Sequence, residues 1–335
     1  MITKTLPQLV QEYDNKPEVN IALGLRPSGV IHLGNMITIA LAMGLGREIG
    51  PHISKLNVAV CDYDLPDEND WDIKARGFAR FYKDLKDETG VSDSTYSKSR
   101  RNIEDFLDKL SRQTSVDFNL RDLSDIQREP SFREGLKRML DSPESMKLIL
   151  PNLKDGSVVV YPICPKCKTT YTATIRGKKV IYKDGRIFTH CSNPDCDVED
   201  YDISVLDSDS EFSVHMFIDP LRDSVVNPYA DIHVFGGDYS QEHGENKLPK
   251  IDKICDLTKI ASGGRYPDYL VGPTIYARDG EKMSKTKANG LTSDVLVKHL
   301  GEDYPERVLD FTLGLIKSGF SHVDYPLVEE RLLKK

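Results

Sequence analysis

No stretch of this chain stays apolar for the roughly 20 residues that a membrane-spanning helix needs. The first twenty residues, MITKTLPQLVQEYDNKPEVN, lack the apolar core of a secretory leader. Both absences predict a cytoplasmic protein without membrane contact. Positive charge is also in short supply. Lys and Arg number 45 against 53 Asp and Glu, the net charge is −8 and the pI is about 5.6. That balance excludes a general nucleic-acid coat. Local RNA contact stays open at Lys98–Arg101 and Lys282–Lys287, although short charge runs of this kind also serve as plain solvated surface. Repeats and low-complexity tracts are missing too.

Enough apolar residues are present, 39% of 335, for a sizeable core, and the length corresponds to about two domains. The pattern along the chain is that of a parallel α/β sheet. Residues 1–18 read as a polar helix, Val19–Leu25 as a buried strand, Leu33–Ile49 as a helix stopped by Gly50-Pro51, and Leu56–Cys61 as a second buried strand. Residues 72–145 read as mostly helical. Residues 156–203 are β-branched and rich in Gly and Cys. Ile232–Phe235 is a further strand, and 292–335 read as terminal helices. The expected organisation is a Rossmann-type core split into halves at 1–150 and 206–280. A zinc-ribbon insertion falls at 151–205 and a short helical piece at 281–335. Ligands of such sheets gather beyond the carboxyl ends of the strands, where the turn at 26–35 and the acidic loop at 62–70 fall.

The six cysteines are unevenly spread. Cys164 and Cys167 form one close pair, and Cys191 and Cys196 a second. A predicted hairpin with its turn at Lys183-Asp184-Gly185 lies between them. Two such knuckles aim four thiolates at one ion and predict a closed, structural Zn²⁺ site. His190 is a reserve ligand. Cys61 and Cys255 read as inert buried thiols.

Two further segments carry chemistry. The turn Arg26-Pro27-Ser28-Gly29-Val-Ile-His32-Leu-Gly34-Asn35 joins a strand to a helix, so its glycines let the backbone approach a ligand and the helix start favours phosphate. Far along the chain, Lys282-Met283-Ser284-Lys285-Thr286-Lys287 supplies ammonium groups able to close over a polyphosphate. Each alone has a bland alternative, an ordinary turn or a solvated Lys-rich loop.

Together they resemble the class I aminoacyl-tRNA synthetases, whose two signatures are similar to His32-Leu33-Gly34-Asn35 and Lys282-Met283-Ser284-Lys285-Thr286. Phe235-Gly236-Gly237-Asp238 resembles the family's Gly-x-Asp element, and His243 follows at a spacing seen in several members. Within the class, Pro27–Asn35, Cys61-Asp62-Tyr63-Asp64 and Phe217-Ile218-Asp219-Pro220-Leu221-Arg222 are most similar to the lysyl enzymes, over residues 19–300. The chain departs from that pattern at Pro220, at Leu65–Glu68 and at Arg26.

The resemblance implies ATP with Mg²⁺, an amino acid with lysine favoured, and a tRNA acceptor stem as partner. It implies phosphate contacts from the catalytic set His32, Asn35, Lys282 and Lys285. ATP would also touch Pro27, Ser28, Gly29, Gly34, Gly236, Met283 and Ser284, with Asp238 on the ribose. The amino acid would lie against Gly24, Arg26, Asp62, Asp64 and Asp219. So little chain follows the lysine loop that an anticodon-binding domain like the family's is not expected. Other readings stay open: a paralogue using another acceptor or amino acid, a nucleotidylyltransferase, and a non-catalytic RNA-binding scaffold.

Overall fold

The computed structural model describes residues 3–27, 30–62, 78–79, 95–142, 144–145, 147, 158, 160–171, 180–191, 193–213, 219–240, 242–243, 248–283 and 290–334. After helix α1 (Leu6–Tyr13), strand β1 (Val19–Leu25) runs into helix α2 (Leu33–Ile49) and strand β2 (Ser54–Val60). Helix α3 (Thr95–Thr114) leads to strand β3 (Asp117–Asp122), followed by the short helix α4 (Leu123–Ile126) and by α5 (Pro130–Asp141). An antiparallel three-stranded unit comes next: β4 (Ile181–Lys183), β5 (Arg186–His190) and β6 (Asp200–Ser204). The chain then returns to the main sheet through helix α6 (Asp219–Val226), strand β7 (Ile232–Phe235), helix α7 (Lys250–Ser262) and strand β8 (Asp268–Val271). Two terminal helices, α8 (Ser293–Leu300) and α9 (Tyr304–Lys317), lie near the end of the chain.

The main sheet is five-stranded in the order β8-β7-β1-β2-β3, with every pairing parallel. The order reverses between β1 and β7. That reversal opens a crevice at the carboxyl ends of these two strands, the usual ligand position in a doubly wound sheet. The α/β Rossmann-type architecture expected from the sequence is the one observed.

Alternation along the strands builds the two faces. Ile21, Leu23, Leu25, Leu56 and Val58 join one core with α2, α3 and α9. Ala59 joins the opposite core with α5, α6 and α7. Helix α2 lies centrally, with its residues from Met36 to Gly46 all buried. A side chain at Gly44 would collide with Leu313 at 2.7 Å, so this glycine sets the approach of α9. Val308, Leu309, Phe311, Leu313 and Leu315 of α9 complete the same core. The terminal helices are therefore part of the main sheet's packing. A short parallel pairing of Thr274–Ile275 with His322–Val323 fastens them to the chain that follows β8.

Two elements differ from the sequence expectation, and the shorter, Phe78–Ala79, is a two-residue strand paired with Thr170–Tyr171. Within the segment read as mostly helical, Asp117–Asp122 is a strand, DFNLRD, pairing with all but the first residue of β2. It is the sheet edge, half-buried or exposed along its whole length. An edge strand needs no continuous apolar run, so its polar sequence hid it.

Candidate functional site

His32 is the N-cap of α2, and its Nδ1 accepts the Gly34 N–H at 3.1 Å. The accepting nitrogen carries no proton, so in the neutral ring the proton sits on Nε2, a donor. A Cβ at Gly34 would come within 3.0 Å of His32 Cε1, so the small residue keeps the ring in this capping position. Asn35 follows in the first turn, half-buried, at the end of α2 where the helix dipole favours an anion. Pro27 is buried and Arg26 half-buried. Ser28 and Gly29 lie outside the described residues.

The lysine-rich segment begins beside this turn. Lys282 pairs with Tyr276 in an antiparallel bridge, and the Met283 N–H donates to the Ile275 carbonyl at 2.8 Å. Met283 is buried in the main core at 3% exposure, and its Sδ accepts the Leu291 N–H at 3.4 Å. On the far side, the Leu33 N–H donates to the Leu291 carbonyl at 2.7 Å and the Ser293 N–H to the Ile31 carbonyl at 3.1 Å. Thr292 thus bridges His32 itself. Leu291, Thr292 and Ser293, which follow residues 284–289, are thus sewn to the turn that holds His32, whereas Lys282 and Met283, which precede them, pair with Ile275 and Tyr276 beyond β8. Ser284 and Lys285 lie outside the described residues.

Beyond β7, Gly236-Gly237-Asp238 turns tightly, with the Tyr239 N–H donating to the Gly236 carbonyl at 3.1 Å. Any side chain at Gly237 would meet the Thr274 nitrogen at 2.4 Å, so the turn is pressed against the chain entering the lysine segment. The result is a link between the two: Asp238 Oδ2 lies 3.6 Å from Lys282 Nζ, with both groups half-exposed at 38% and 45%. The sheet thus brings together His32, Gly34, Asn35, Gly236, Asp238, Lys282 and Met283 at its carboxyl end, at the β1/β7 reversal.

The expected amino-acid contacts are more scattered. Gly24 is exposed on β1. Asp62 is buried at 2% exposure, and its Oδ1 accepts the Ser124 N–H at 2.9 Å, which ties the end of β2 to α4. Asp219 opens α6, with only its backbone described, and Asp64 lies outside the described residues.

A polar group that was not singled out as a site in the sequence sits next to Gly24. Arg222 Nε donates to Asp223 Oδ1 at 2.8 Å, and the Tyr239 hydroxyl donates to Asp223 Oδ2 at 2.8 Å. The Arg222 and Asp223 side chains are only 7% and 8% exposed. Arg222 closes the Phe217–Arg222 stretch that resembles the lysyl enzymes, but consecutive helix residues ordinarily diverge, so no pattern marks Asp223 as its partner. Tyr239 could have been found, since it directly follows the Gly-Gly-Asp turn.

The four cysteines also converge. Their sulfurs all lie within 4.8 Å of one another, with Cys164 to Cys196 at 3.9 Å and Cys167 to Cys191 at 3.5 Å. A tetrahedron of Zn–S bonds of about 2.3 Å requires sulfurs about 3.8 Å apart, so the donor set fits Zn²⁺. His190 stands in β5 and is not part of the cluster. Burial opposes the Cys167 thiolate, but hydrogen bonds from the Thr169 hydroxyl and backbone outweigh it and bring the thiol down to about 6. Burial instead pushes Cys164 and Cys191 up. The hairpin turn expected between the pairs is present, with Asp184 and Gly185 both at positive φ (51° and 76°).

No family model matches this chain. No curated protein matches it either. Among solved structures it is similar to the tyrosyl-tRNA synthetase of Archaeoglobus fulgidus complexed with L-tyrosine, at 17% identity and a TM-score of 0.39. That alignment covers 86% of this chain but 64% of that one, so the chain spans under two thirds of its length. It is also similar to the tyrosyl-tRNA synthetase of Aeropyrum pernix, at 11% identity, a TM-score of 0.40 and coverage of 88% and 71%. Likeness at this level carries no function across. The fold rests on the strand order and the site on its own contacts. Among the described residues, no helix is long and apolar enough to cross a membrane.

Proposed function

We propose that this protein activates an amino acid with ATP, forming an aminoacyl adenylate, and passes the aminoacyl group to a tRNA acceptor end. The observation that supports it most is the bonding of Leu291, Thr292 and Ser293, just after residues 284–289, to the His32 turn, with Lys282, just before them, 3.6 Å from Asp238. A triphosphate lying over the start of α2 would meet Nε2–H of His32 and the side chain of Asn35. Lys282 and Lys285 would neutralise its β/γ end as pyrophosphate departs, and Asp238 would accept from the ribose hydroxyls.

The substrate carboxylate attacks the α-phosphorus in line and the bond to pyrophosphate breaks. No protein nucleophile takes part, so these side chains work by position and charge. Mg²⁺, bound with the nucleotide, would spread the phosphate charge. The cysteine cluster would hold Zn²⁺ as a structural ion, its four sulfurs leaving no open coordination position.

The expected division of labour follows. Residues 1–150 and 206–280 form the nucleotide-binding halves, 151–205 the metal insertion, and 281–335 the loop and helices flanking the acceptor stem. Lysine is the first amino acid to assay, from the similarity of Pro27–Asn35 and Cys61–Asp64 to lysyl enzymes. Cytoplasmic residence fits this role.

The test is amino-acid-dependent exchange of pyrophosphate into ATP, run with all twenty amino acids and followed by tRNA charging. Exchange with one amino acid supports the reading. The absence of exchange with every one, in protein that still binds ATP, rejects it.

A further inference from the structure

The cysteine cluster carries one contact that four-sulfur coordination does not require. Thr169 Oγ1 lies 3.0 Å from Cys167 Sγ. Thr169 is only 4% exposed, so bulk water does not compete for its hydroxyl. Its backbone is fixed on both sides. The Cys164 N–H donates to the Thr169 carbonyl at 2.9 Å and the Lys168 N–H to the Cys164 carbonyl at 3.0 Å, which closes the first knuckle. Lys168 takes a left-handed φ of 57° to make that turn. Thr170, next along, is buried and donates its hydroxyl to the Pro162 carbonyl at 2.9 Å. Thr170 and Tyr171 then pair with Phe78 and Ala79. The fold thus aims the Thr169 hydroxyl at one sulfur.

Charge gives this contact its chemistry. Four thiolates around one divalent ion leave negative charge in excess. Cys164 is fully buried and the other three cysteines are half-buried, so that excess is partly withdrawn from water and is stabilised by donors. A sulfur bound to the ion has given up its proton, so the Thr169 hydroxyl is then the donor and its bond is charge-assisted. A donor behind a metal ligand orients the ligand and tunes its hold on the ion. The ion pair of Lys166 with Asp197 makes the contrast. It joins the same two knuckles, but its side chains are 58% and 71% exposed, so water and salt screen it.

Resting on the zinc reading given above, we infer that Thr169 is the positioning residue of this centre. Its hydroxyl holds the Cys167 thiolate in place and sets the affinity for the ion. The Lys166–Asp197 pair does not.

The test uses the full chain as parent, Thr169→Val, Thr169→Ser and Lys166→Ala. Each is titrated with Zn²⁺ against a chromophoric chelator. Each is also titrated with Co²⁺, whose sulfur-to-metal charge-transfer band reports on the thiolates. Thr169→Val, which keeps the shape and removes the hydroxyl, should weaken Zn²⁺ binding about 10–100-fold. It should also move the Co²⁺ band to longer wavelength, because a sulfur without its donor gives up an electron more easily. Thr169→Ser should bring the affinity back to within about threefold of the parent and restore the band. Lys166→Ala should leave both unchanged. Thr169→Ala replaces the valine variant if that chain does not fold. Parent-like affinity and band without the hydroxyl would overturn the role of Thr169 and leave the zinc site standing. Equal loss in the serine variant, or in Lys166→Ala, would overturn it too. A parent that takes up no stoichiometric Zn²⁺ would remove the zinc reading and this inference together.

Discussion

Two regions of this molecule do the same mechanical task, holding short turns in register, by opposite means. The crevice at the carboxyl ends of β1 and β7 is held by the core. Met283 is buried within it, Leu33 and Ile31 bond to Leu291 and Ser293 just after the lysine-rich segment, and Gly237 is pressed onto Thr274. The cysteine unit has three short strands and exposes Ile181, Phe188 and Leu206. Its turns depend on four sulfurs and on its docking to α5. There the buried Arg133 guanidinium donates to the carbonyls of Val205 (3.2 Å) and Ser210 (2.7 Å) and lies 4.5 Å over the Phe212 ring. A segment this small has to borrow stability, here from the apolar cluster it shares with α5 and from one buried arginine, and its four converging sulfurs fit a cation that would add to it. A site at a sheet end takes it from the fold that positions it.

Removing the metal ligands should have the largest effect and stay on one side of this contrast. Cys191→Ser, or chelation, is expected to abolish stoichiometric zinc. Zinc-finger peptides bind the ion with about 10–16 kcal/mol, so the insert's amides should exchange freely while those of β1 and β2 stay protected. Loss of protection throughout the main sheet would show that the two regions are not independent.

On the other side, Lys285→Ala should cut kcat for adenylate formation by about 10²–10³, or roughly 3–4 kcal/mol, with a much smaller change in amino-acid affinity. Equal pyrophosphate exchange by variant and parent would rule out the role given to that lysine.

The pH dependence of stability should come from the core beside the crevice. His233 is buried neutral, its pKa lowered from 6.5 to about 4 by burial. A base depressed on folding contributes stability that is present above its unfolded value and is lost as pH falls through the folded one. The expected loss is about 3 kcal/mol between pH 6.5 and 4. Denaturant midpoints of the parent and of His233→Phe should diverge over that window. Parallel curves would remove His233 as the cause.

Gly237→Ala should cost about 1–3 kcal/mol through overpacking against Thr274, seen as a lowered denaturation midpoint. The smallest effect is predicted for Lys282→Ala, at under about 1 kcal/mol of stability, since the half-exposed ion pair with Asp238 is screened. A loss of several kcal/mol there would mean that the crevice depends on charge and not on the core.

Much of this was legible in the sequence because it is local. The apolar run Val19–Leu25, the helix closed by Gly50 and the paired cysteines each announce themselves within a few residues. What stayed hidden is what only the fold brings together. The polar edge strand Asp117–Asp122 has no periodic signal of its own. Asp62, expected at a substrate ammonium, caps Ser124, sixty-two residues away. Arg222, Asp223 and Tyr239 become a unit only when α6 and the turn after β7 meet over β1.

The most direct test is a footprint of the lysine loop. The protein is treated with an amine-acylating reagent with and without MgATP, and modification of Lys285 is read by peptide mass spectrometry against Lys334 as a remote reference. The account predicts that MgATP strongly protects Lys285 and leaves Lys334 unchanged. Equal labelling of Lys285 under saturating MgATP would contradict the closing of that loop over the nucleotide.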